Sequence, residues 1–209
     1  MFKLRALILS SVVVMSIATA FMLTAPSASA NMSSDKRFQY AMKTVLRHEG
    51  GLSNDKNDAG SWTRFGVSLR FLREEHLDVN GDGVISKDDI IHLTLTEADN
   101  IYYKDFYKRN HYDEITNEHI LTKVLDFAVN AGSGQANKIL KRAINRIVSE
   151  PISVNGSLDK KTIQIVNLLD PAALYSAFVT EQEDFYLSIV KKNPHLRVFL
   201  RGWLVRCND

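Results

Sequence analysis

An amphipathic helix that stops at two glycines constrains this chain more than any other feature. Between Asp35 and Glu49 the apolar side chains recur at helical intervals, at Phe38, Ala41, Met42, Val45 and Leu46. Gly50 and Gly51 end the helix, so Glu49 is its last residue or nearly so. The negative end of the helix dipole disfavours the charged form of a carboxyl group there. Glu49 is therefore suited to act as a general acid.

The polar loop that follows carries a second carboxylate. Residues 52–62 are rich in Ser, Asn, Asp and Gly and predict a loop or short hairpin. Asp58 lies nine residues after Glu49, and Thr63 follows five residues later. Hydrolysis of a glycosidic bond with inversion needs one acid and one group that orders water on the opposite face of the sugar. A carboxylate with a threonine hydroxyl can hold that water.

Two other interpretations of these carboxylates are available. Glu49 can be a surface residue at a helix end that forms a salt bridge with Arg47 or Arg64. Asp55 is an alternative water-holding carboxylate, although its spacing fits less well than that of Asp58. Beside this loop, Trp62 is a candidate for stacking on a saccharide ring, or else an ordinary half-buried aromatic. Asn130 is a candidate sugar contact, or else a residue that ends a helix.

Residues 78–89 match the loop of a calcium-binding helix–loop–helix motif. The ligands fall at the expected intervals. They are the side chains of Asp78, Asn80, Asp82 and Asp89, the carbonyl of Val84 and a water held by Ser86. Gly83 occupies the sixth position, where the chain turns sharply, and Ile85 the eighth. The closing ligand is usually Glu, so the shorter Asp89 predicts weaker or altered coordination. We expect one structural Ca²⁺, with an Asp/Gly turn as the alternative.

The rest of the chain predicts further helices and no repeats. Their expected bounds are 67–76, 96–108, 117–131, 135–148, 158–169 and 171–192, with a last helix after Pro194 that runs to Arg206. At most one small sheet is expected, near residues 52–68. The fold class predicted from the residues is therefore mainly α. Cys207 is the only cysteine and is expected to be an idle thiol, with an intermolecular disulfide as the alternative.

Residues 1–30 have the features of an export signal. Lys3 and Arg5 precede an apolar run, and Ala28-Ser29-Ala30 is a small-residue cleavage site. An uncleaved membrane anchor is the alternative, since the apolar run is near the ~18 residues that a span needs. Without Lys3 and Arg5 the Lys+Arg count falls from 26 to 24, equal to Asp+Glu. A nucleic-acid binder is not expected, and attraction to an anionic polymer would have to come from local patches.

The motifs Glu49-Gly50-Gly51 and Asp58-x-Gly60-x-x-Thr63-x-x-Gly66-Val67-Ser68 resemble the N-terminal signature of glycoside hydrolase family 108. The resemblance continues through Asp126-x-Ala128-Val129-Asn130-x-Gly132 and ends at Phe199-Leu200-x-Gly202-Trp203-x-x-Arg206. The family contains peptidoglycan-cleaving N-acetylmuramidases and proteins named secretion activators. The resemblance implies a lysozyme-like α+β fold, with Glu49 as acid and Asp58 and Thr63 holding water. Ser61 and Leu52 depart from residues that are common in the family.

The resemblance also implies a domain organisation. A signal peptide (1–30) is followed by a catalytic domain (31–150) with the calcium loop inserted, and by a helical part (151–209) that resembles a peptidoglycan-binding region around Val154-Asn155-Gly156. The alternative for that last part is a helical subdomain that completes the fold. We expect a monomer, exported to the periplasm or secreted, with peptidoglycan as partner and no stable membrane association after signal cleavage. The alternative functions are a lytic transglycosylase and a non-catalytic, calcium-dependent wall-binding or secretion-assisting protein.

Overall fold

The computed structural model describes residues 35–48, 53–54 and 62–208, which form a mainly helical protein with one small sheet. The α-helices are α1 (Lys36–His48), α2 (Leu69–Glu74), α3 (Lys87–His92), α4 (Leu95–Ile101), α5 (Glu118–Ala131), α6 (Ser133–Asn145), α7 (Lys160–Leu168), α8 (Pro171–Lys192) and α9 (Arg197–Asn208). A π-helical segment (Tyr102–Lys108) continues α4, and 3₁₀ turns occupy Tyr112–Glu114 and Pro194–Leu196. The export signal predicted for residues 1–30 lies outside the described residues.

Helix α1 forms as its apolar spacing predicts. The Asp35 carboxylate caps it by accepting a hydrogen bond from the Phe38 amide at 3.1 Å. The predicted apolar face is buried at Phe38, Ala41, Met42 and Val45, with Leu46 packed at its edge. This face packs on α5, so the helix that leads into Glu49 is held by the central helix of the core.

The sheet has three short antiparallel strands in the order β1 (Ser53–Asn54), β2 (Trp62–Arg64) and β3 (Val67–Ser68). It lies where the sequence predicted one small sheet. Thr63 on the central strand pairs with Ser53 on one side and with Ser68 on the other. Phe65 and Gly66 turn the chain between β2 and β3 with φ angles of 51° and 80°. A two-residue hairpin turn with both φ angles positive matches the twist of its strands.

Several predicted helices differ from the structure by two or three residues at their ends; the helix predicted over 135–148, for example, runs from Ser133 to Asn145. Two of the differences have a visible local cause. The helix expected from residue 67 begins at Leu69, because Val67 and Ser68 belong to β3 and the Ser68 hydroxyl caps α2 by accepting from the Phe71 amide. The helix expected over residues 96–108 is α at its start and π-helical from Tyr102. Thr94 caps it, and its hydroxyl and the Glu97 carboxylate exchange hydrogen bonds with each other's backbone amides.

The C-terminal helices share one core with α5. Phe127 on α5 makes edge-to-face contacts with Phe178, Phe185 and Tyr186 of α8, at centroid distances of 6.0, 5.7 and 5.9 Å. Tyr186 in turn stacks on Trp203 of α9 at 4.9 Å. Aromatic packing therefore fixes α8 and α9 against the helix that also supports α1. Among the described helices none alone is long and apolar enough to cross a membrane, and α7 and α8 meet that test only as a pair bent by 117°.

Candidate functional site

The carboxylates predicted for catalysis, Glu49 and Asp58, lie outside the described residues, as does the alternative Asp55. The described structure nevertheless fixes the helix before and the strand after the loop that carries these carboxylates. Helix α1 ends at His48, directly before Glu49, and strand β2 begins at Trp62, four residues after Asp58. Since β1 pairs with β2, the chain between them returns to the sheet. The catalytic roles of Glu49 and Asp58 remain predictions.

Thr63, the third predicted catalytic residue, lies at the centre of this sheet. Its backbone is held by pairing on both sides, so the side chain is presented from a fixed position. Its hydroxyl oxygen is buried and has no hydrogen-bond partner among the described residues. Buried hydroxyls nearly always have a partner, and an exception needs a reason. The Thr63 hydroxyl is therefore available to a water or to a group that the described residues do not include.

Trp62 precedes Thr63 on the same strand and is half-buried, packed against the core. Its neighbour Arg64 donates a hydrogen bond from Nη1 to the Ile91 carbonyl and lies over the Phe65 ring at 5.2 Å. These contacts tie the strand to α3 and to the hairpin turn. The partial exposure of Trp62 leaves ring surface outside the core, and its contact with a saccharide remains a prediction.

Tyr102 is a supporting residue that sequence patterns did not single out. Its hydroxyl donates a hydrogen bond to the Phe65 carbonyl at 2.6 Å, across 37 residues of chain. Phe65 has a left-handed φ of 51°, a conformation that bulky residues rarely adopt. Tyr102 therefore holds in place a strained turn two residues from Thr63. The spacing of Tyr102 from its apolar neighbours in the sequence is that of a core residue. It does not indicate this role.

Asp99 is a second residue that the sequence did not indicate. It lies on α4, three residues before Tyr102, so the two side chains lie on neighbouring positions of one helix face. One carboxylate oxygen of Asp99 is buried without a hydrogen-bond partner among the described residues. Burial raises the pKa of this carboxyl above its usual range.

Asn130, the other predicted sugar contact, lies one residue before the C-terminal end of α5 and is exposed. Its side-chain oxygen accepts a hydrogen bond from the Tyr186 hydroxyl of α8. This bond orients the amide and leaves its nitrogen without a described hydrogen-bond partner. Asn130 is thus anchored to the C-terminal helices as well as to the helix under α1. Its contact with substrate remains a prediction.

The predicted calcium loop lies between α2 and α3, with α3 beginning at loop position 10. Gly83 has a φ of 87°, as the sharp turn at position 6 requires. The two carboxylate oxygens of Asp78 accept hydrogen bonds from the amides of Gly81 and Gly83, both at 2.7 Å. Asn80 and Asp82 accept from the amides two residues further on, those of Asp82 and Val84, at 2.9 and 2.8 Å. The backbone therefore folds around oxygen atoms of the predicted ligand positions.

Asp89, the predicted closing ligand, is fully buried. Its oxygens accept hydrogen bonds from the amides of Val79, Asn80 and Ser86 at 2.9, 3.3 and 2.7 Å. Burial raises the pKa of this carboxyl, but these backbone hydrogen bonds outweigh it and the net shift is downward. Within the described ranges, no group of three or more His, Cys, Asp or Glu side chains is arranged to hold a metal ion. Calcium binding at this loop remains a prediction.

Cys207 is buried in the core near the end of α9, with its side chain inaccessible to solvent. Burial raises the pKa of its thiol to about 11, so it carries little thiolate at neutral pH. These are the properties of the idle thiol that was predicted. A disulfide to another molecule would require the last helix to leave the core.

Comparisons with known proteins agree with the motifs around this site. Residues 42–132 match the model of the family described as glycosyl hydrolase 108, and residues 135–208 match a predicted peptidoglycan domain. The boundary between the two matches falls at the start of α6, whereas the predicted boundary at residue 150 stays a prediction. No curated protein matches the chain.

Among solved structures, the chain is similar to that titled "Structure of Brucella abortus SagA", with a TM-score of 0.67 and 24% identity. The similarity covers 82% of this chain and 89% of that one. At this identity the similarity concerns the fold alone. The first family match contains the predicted catalytic residues and Asn130, and the second runs from within α6 to the end of α9. The predicted resemblance to glycoside hydrolase family 108 is thus confirmed by the match over residues 42–132.

Proposed function

We propose that this protein is an exported N-acetylmuramidase, which hydrolyses the β-1,4 bond between N-acetylmuramic acid and N-acetylglucosamine in peptidoglycan. The observation that carries the proposal is the family match over residues 42–132, which spans the helix end, the loop and the sheet. The second match, to a predicted peptidoglycan domain, supports the same polymer as partner. The buried hydroxyl of Thr63, which has no hydrogen-bond partner among the described residues, supports a site that orders a small polar molecule.

In the proposed reaction, Glu49 donates its proton to the glycosidic oxygen as the bond to the anomeric carbon breaks. A water held by Asp58 and the Thr63 hydroxyl attacks that carbon from the opposite face, and Asp58 accepts the proton that the water loses. The Thr63 hydroxyl can accept one hydrogen bond from the water. This bond orients the water so that a lone pair of the water oxygen points at the anomeric carbon. Trp62 and Asn130 are proposed to contact the sugars on either side.

The principal competing reaction is that of a lytic transglycosylase, in which a single acid/base leads to anhydro-muropeptides. Mass spectrometry of sacculi digested with the purified protein distinguishes the two, because hydrolysis adds one water and leaves a reducing end at N-acetylmuramic acid. We expect reducing products. Anhydro products would show a transglycosylase, and binding of sacculi without any soluble fragment would favour the non-catalytic wall-binding alternative.

A structural Ca²⁺ is proposed at residues 78–89. The ligand types, their intervals and the turn at Gly83 fit this ion. The proposed ligands are oxygens of Asp78, Asn80, Asp82 and Asp89, the Val84 carbonyl and a water on Ser86. The two Asp78 carboxylate oxygens each accept one backbone hydrogen bond and so retain a lone pair for a cation. The ion would stabilise the segment between α2 and α3 and take no part in the bond cleavage.

Export is proposed from residues 1–30 and agrees with a substrate that lies outside the cytoplasm. Fractionation of cells that produce the full chain tests this proposal. We expect the mature protein in the periplasm or the medium, starting near Asn31 by N-terminal sequencing. An uncleaved protein in the membrane fraction would instead show that the apolar run is an anchor.

A further inference from the structure

The π-helical continuation of α4 is a rare backbone element. We call Tyr102–Lys108 the π segment. At its end the Arg109 amide donates to the Lys104 carbonyl at 3.0 Å, so this bond spans five residues instead of the four of an α-helix. π-helical turns are uncommon in proteins and are found frequently at functional sites. No proposed catalytic residue lies in the π segment, so its role has to be sought in what it contacts.

Two side chains of the π segment hold helix α1. The rings of Tyr103 and Tyr107, both buried, contact Phe38 at centroid distances of 5.0 and 5.2 Å. The Tyr107 hydroxyl also donates to the Asp35 carboxylate at 3.3 Å, and this carboxylate caps α1. Helix α1 ends directly before the proposed acid Glu49. The π segment therefore fixes the helix that leads into the acid.

Two other side chains of the π segment contact the chain on the far side of the catalytic loop. The Tyr102 hydroxyl donates to the Phe65 carbonyl at 2.6 Å, in the turn between β2 and β3. The Phe106 ring packs on Phe71 of α2, which follows β3, at a centroid distance of 5.1 Å. Tyr102 and Phe106 contact each other edge to face at 5.4 Å, so the two contacts belong to one cluster. Thr63 lies on β2, two residues before the turn residue that Tyr102 holds.

We propose that the π segment sets the separation between the proposed acid and the proposed water-holding hydroxyl, with Tyr102 as the positioning residue for Thr63. The inference rests on the proposed function, which gives Glu49 and Thr63 their roles. The acid follows α1 and the hydroxyl lies on β2, and one buried segment contacts α1 and the turn that ends β2. Such separations matter because a displacement of about 1 Å can cost about 10²-fold in rate.

The turn itself explains why a hydroxyl is needed at Tyr102. Phe65 has a φ of 51°, a conformation that a bulky residue keeps only where surrounding contacts compensate for its strain. The bond from Tyr102 is a contact of this kind, and it comes from a side chain that is itself 1% exposed. Without this bond the turn is free to relax, and the strand that carries Thr63 can shift with it.

The test measures cleavage of soluble, uncross-linked peptidoglycan strands by Tyr102→Phe, which removes the hydroxyl and keeps the ring. We expect kcat to fall about tenfold, with KM within about twofold of the wild-type value, because the removed group is proposed to act on the reaction geometry and touches no substrate. The matched control is Tyr112→Phe. It also removes a fully buried tyrosine hydroxyl, one that donates to Asn137 on α6, and should keep the wild-type kcat.

Two further measurements separate positioning from a general loss of stability. Introduced together with Thr63→Val, Tyr102→Phe should lower kcat by less than about twofold, because the hydroxyl that Tyr102 positions is already absent. Hydrogen exchange followed by mass spectrometry gives a readout that does not depend on activity. Residues 62–68 should exchange faster in Tyr102→Phe than in the wild type, and at the wild-type rate in Tyr112→Phe.

Several outcomes would overturn the inference. An unchanged kcat in Tyr102→Phe is one, and an equal loss of kcat with and without Thr63→Val is another. Unchanged exchange of residues 62–68 would show that the bond to Phe65 does not hold the turn. A loss of kcat in Tyr112→Phe as large as in Tyr102→Phe would assign the effect to reduced stability.

The wild type and Glu49→Gln, assayed on the same strands, distinguish these outcomes from failure of the proposed function. If the wild type cleaves the strands and Glu49→Gln does not, the outcomes above overturn only the positioning role of Tyr102. If the wild type cleaves no strands, the proposed function fails and the inference fails with it.

Discussion

Arg206 donates two hydrogen bonds to the carboxylate of Asp126, from Nε at 3.0 Å and from Nη2 at 2.9 Å. Asp126 lies on α5 within the glycosyl hydrolase match, and Arg206 lies on α9 within the predicted peptidoglycan domain. Both side chains are largely buried, at 4% and 14% exposure. The ion pair therefore joins the two family segments inside a single core.

Removing one partner of this pair should destabilise the whole protein. Arg206→Leu leaves the Asp126 carboxylate buried without its counter-charge, and we expect a loss of about 3 kcal/mol in the free energy of unfolding. Urea denaturation followed by circular dichroism measures it. Arg201→Leu, on the exposed face of the same helix, serves as control and should change stability by less than about 0.5 kcal/mol. A loss below about 1 kcal/mol for Arg206→Leu would contradict the buried pair's structural role.

Substitution of the proposed acid and base should abolish activity without unfolding the protein. We expect Glu49→Gln and Asp58→Asn to lower the rate of release of soluble fragments from sacculi by at least about 10²-fold, a typical contribution of acid–base groups. Asp55→Asn is the matched control from the same loop and should retain most of the activity. Strong residual lysis by folded Glu49→Gln would remove Glu49 from its role. A larger loss of activity with Asp55→Asn than with Asp58→Asn would assign the water-holding role to Asp55 instead of Asp58.

Thr63→Val should separate stability from activity. The valine side chain has nearly the shape of threonine, and the lost hydroxyl has no hydrogen-bond partner among the described residues. Replacing an unpartnered buried hydroxyl with a methyl group should leave the melting temperature unchanged or raise it. Activity should fall about tenfold or more if the hydroxyl orients the attacking water. Thr63→Ser, which keeps the hydroxyl, is expected to retain activity. Full activity in the valine variant would exclude this role for Thr63.

Asp99→Asn should stabilise the protein in a pH-dependent manner. Burial raises the pKa of Asp99, so the folded state binds this proton more tightly than the unfolded state does. Stability therefore falls as the pH rises from the unfolded pKa, near 3.8, through the higher folded pKa. Asparagine has no such proton, so the melting temperature of the variant should exceed that of the wild type at pH 7. The difference should vanish below pH 3.8, where the carboxyl is protonated in both states. An equal difference at all pH values would mean that another contact of Asp99 is responsible.

Calcium should raise the melting temperature if residues 78–89 hold the ion. An ion at ten times its dissociation constant adds about 1.4 kcal/mol to the free energy of unfolding. Differential scanning calorimetry with millimolar Ca²⁺ or with chelator measures the shift, and Asp82→Ala should remove it. Asp88→Asn is the control, because Asp88 is exposed and occupies no ligand position. The calcium site is wrong if wild type melts identically with ion and with chelator.

Local patterns in the sequence predicted most helices with useful accuracy. Helix α8 runs from Pro171 to Lys192 as predicted, because Pro171 fixes the first turn and Asp170 accepts from the Ala173 amide. Helix α5 follows Asn117, whose side chain accepts from the amides of His119 and Ile120. Caps and apolar spacing involve residues a few positions apart, so a sequence displays them directly. The catalytic candidates rest on spacing of the same local kind and on family resemblance.

By itself, the sequence determined where most helices lie, which of their faces are apolar, and which residue types lie at the candidate site. Only the tertiary structure decided which faces are covered. It joined Tyr102 to the strained turn at Phe65, paired Asp126 with Arg206, and left the Arg197–Asn208 face of α9 open. It also left one Asp99 oxygen without a hydrogen-bond partner within the described part of the chain. The physical reason is that local spacing places side chains on a helix face. Which neighbour packs against this face depends on contacts between residues that are 37 to 80 positions apart in the chain.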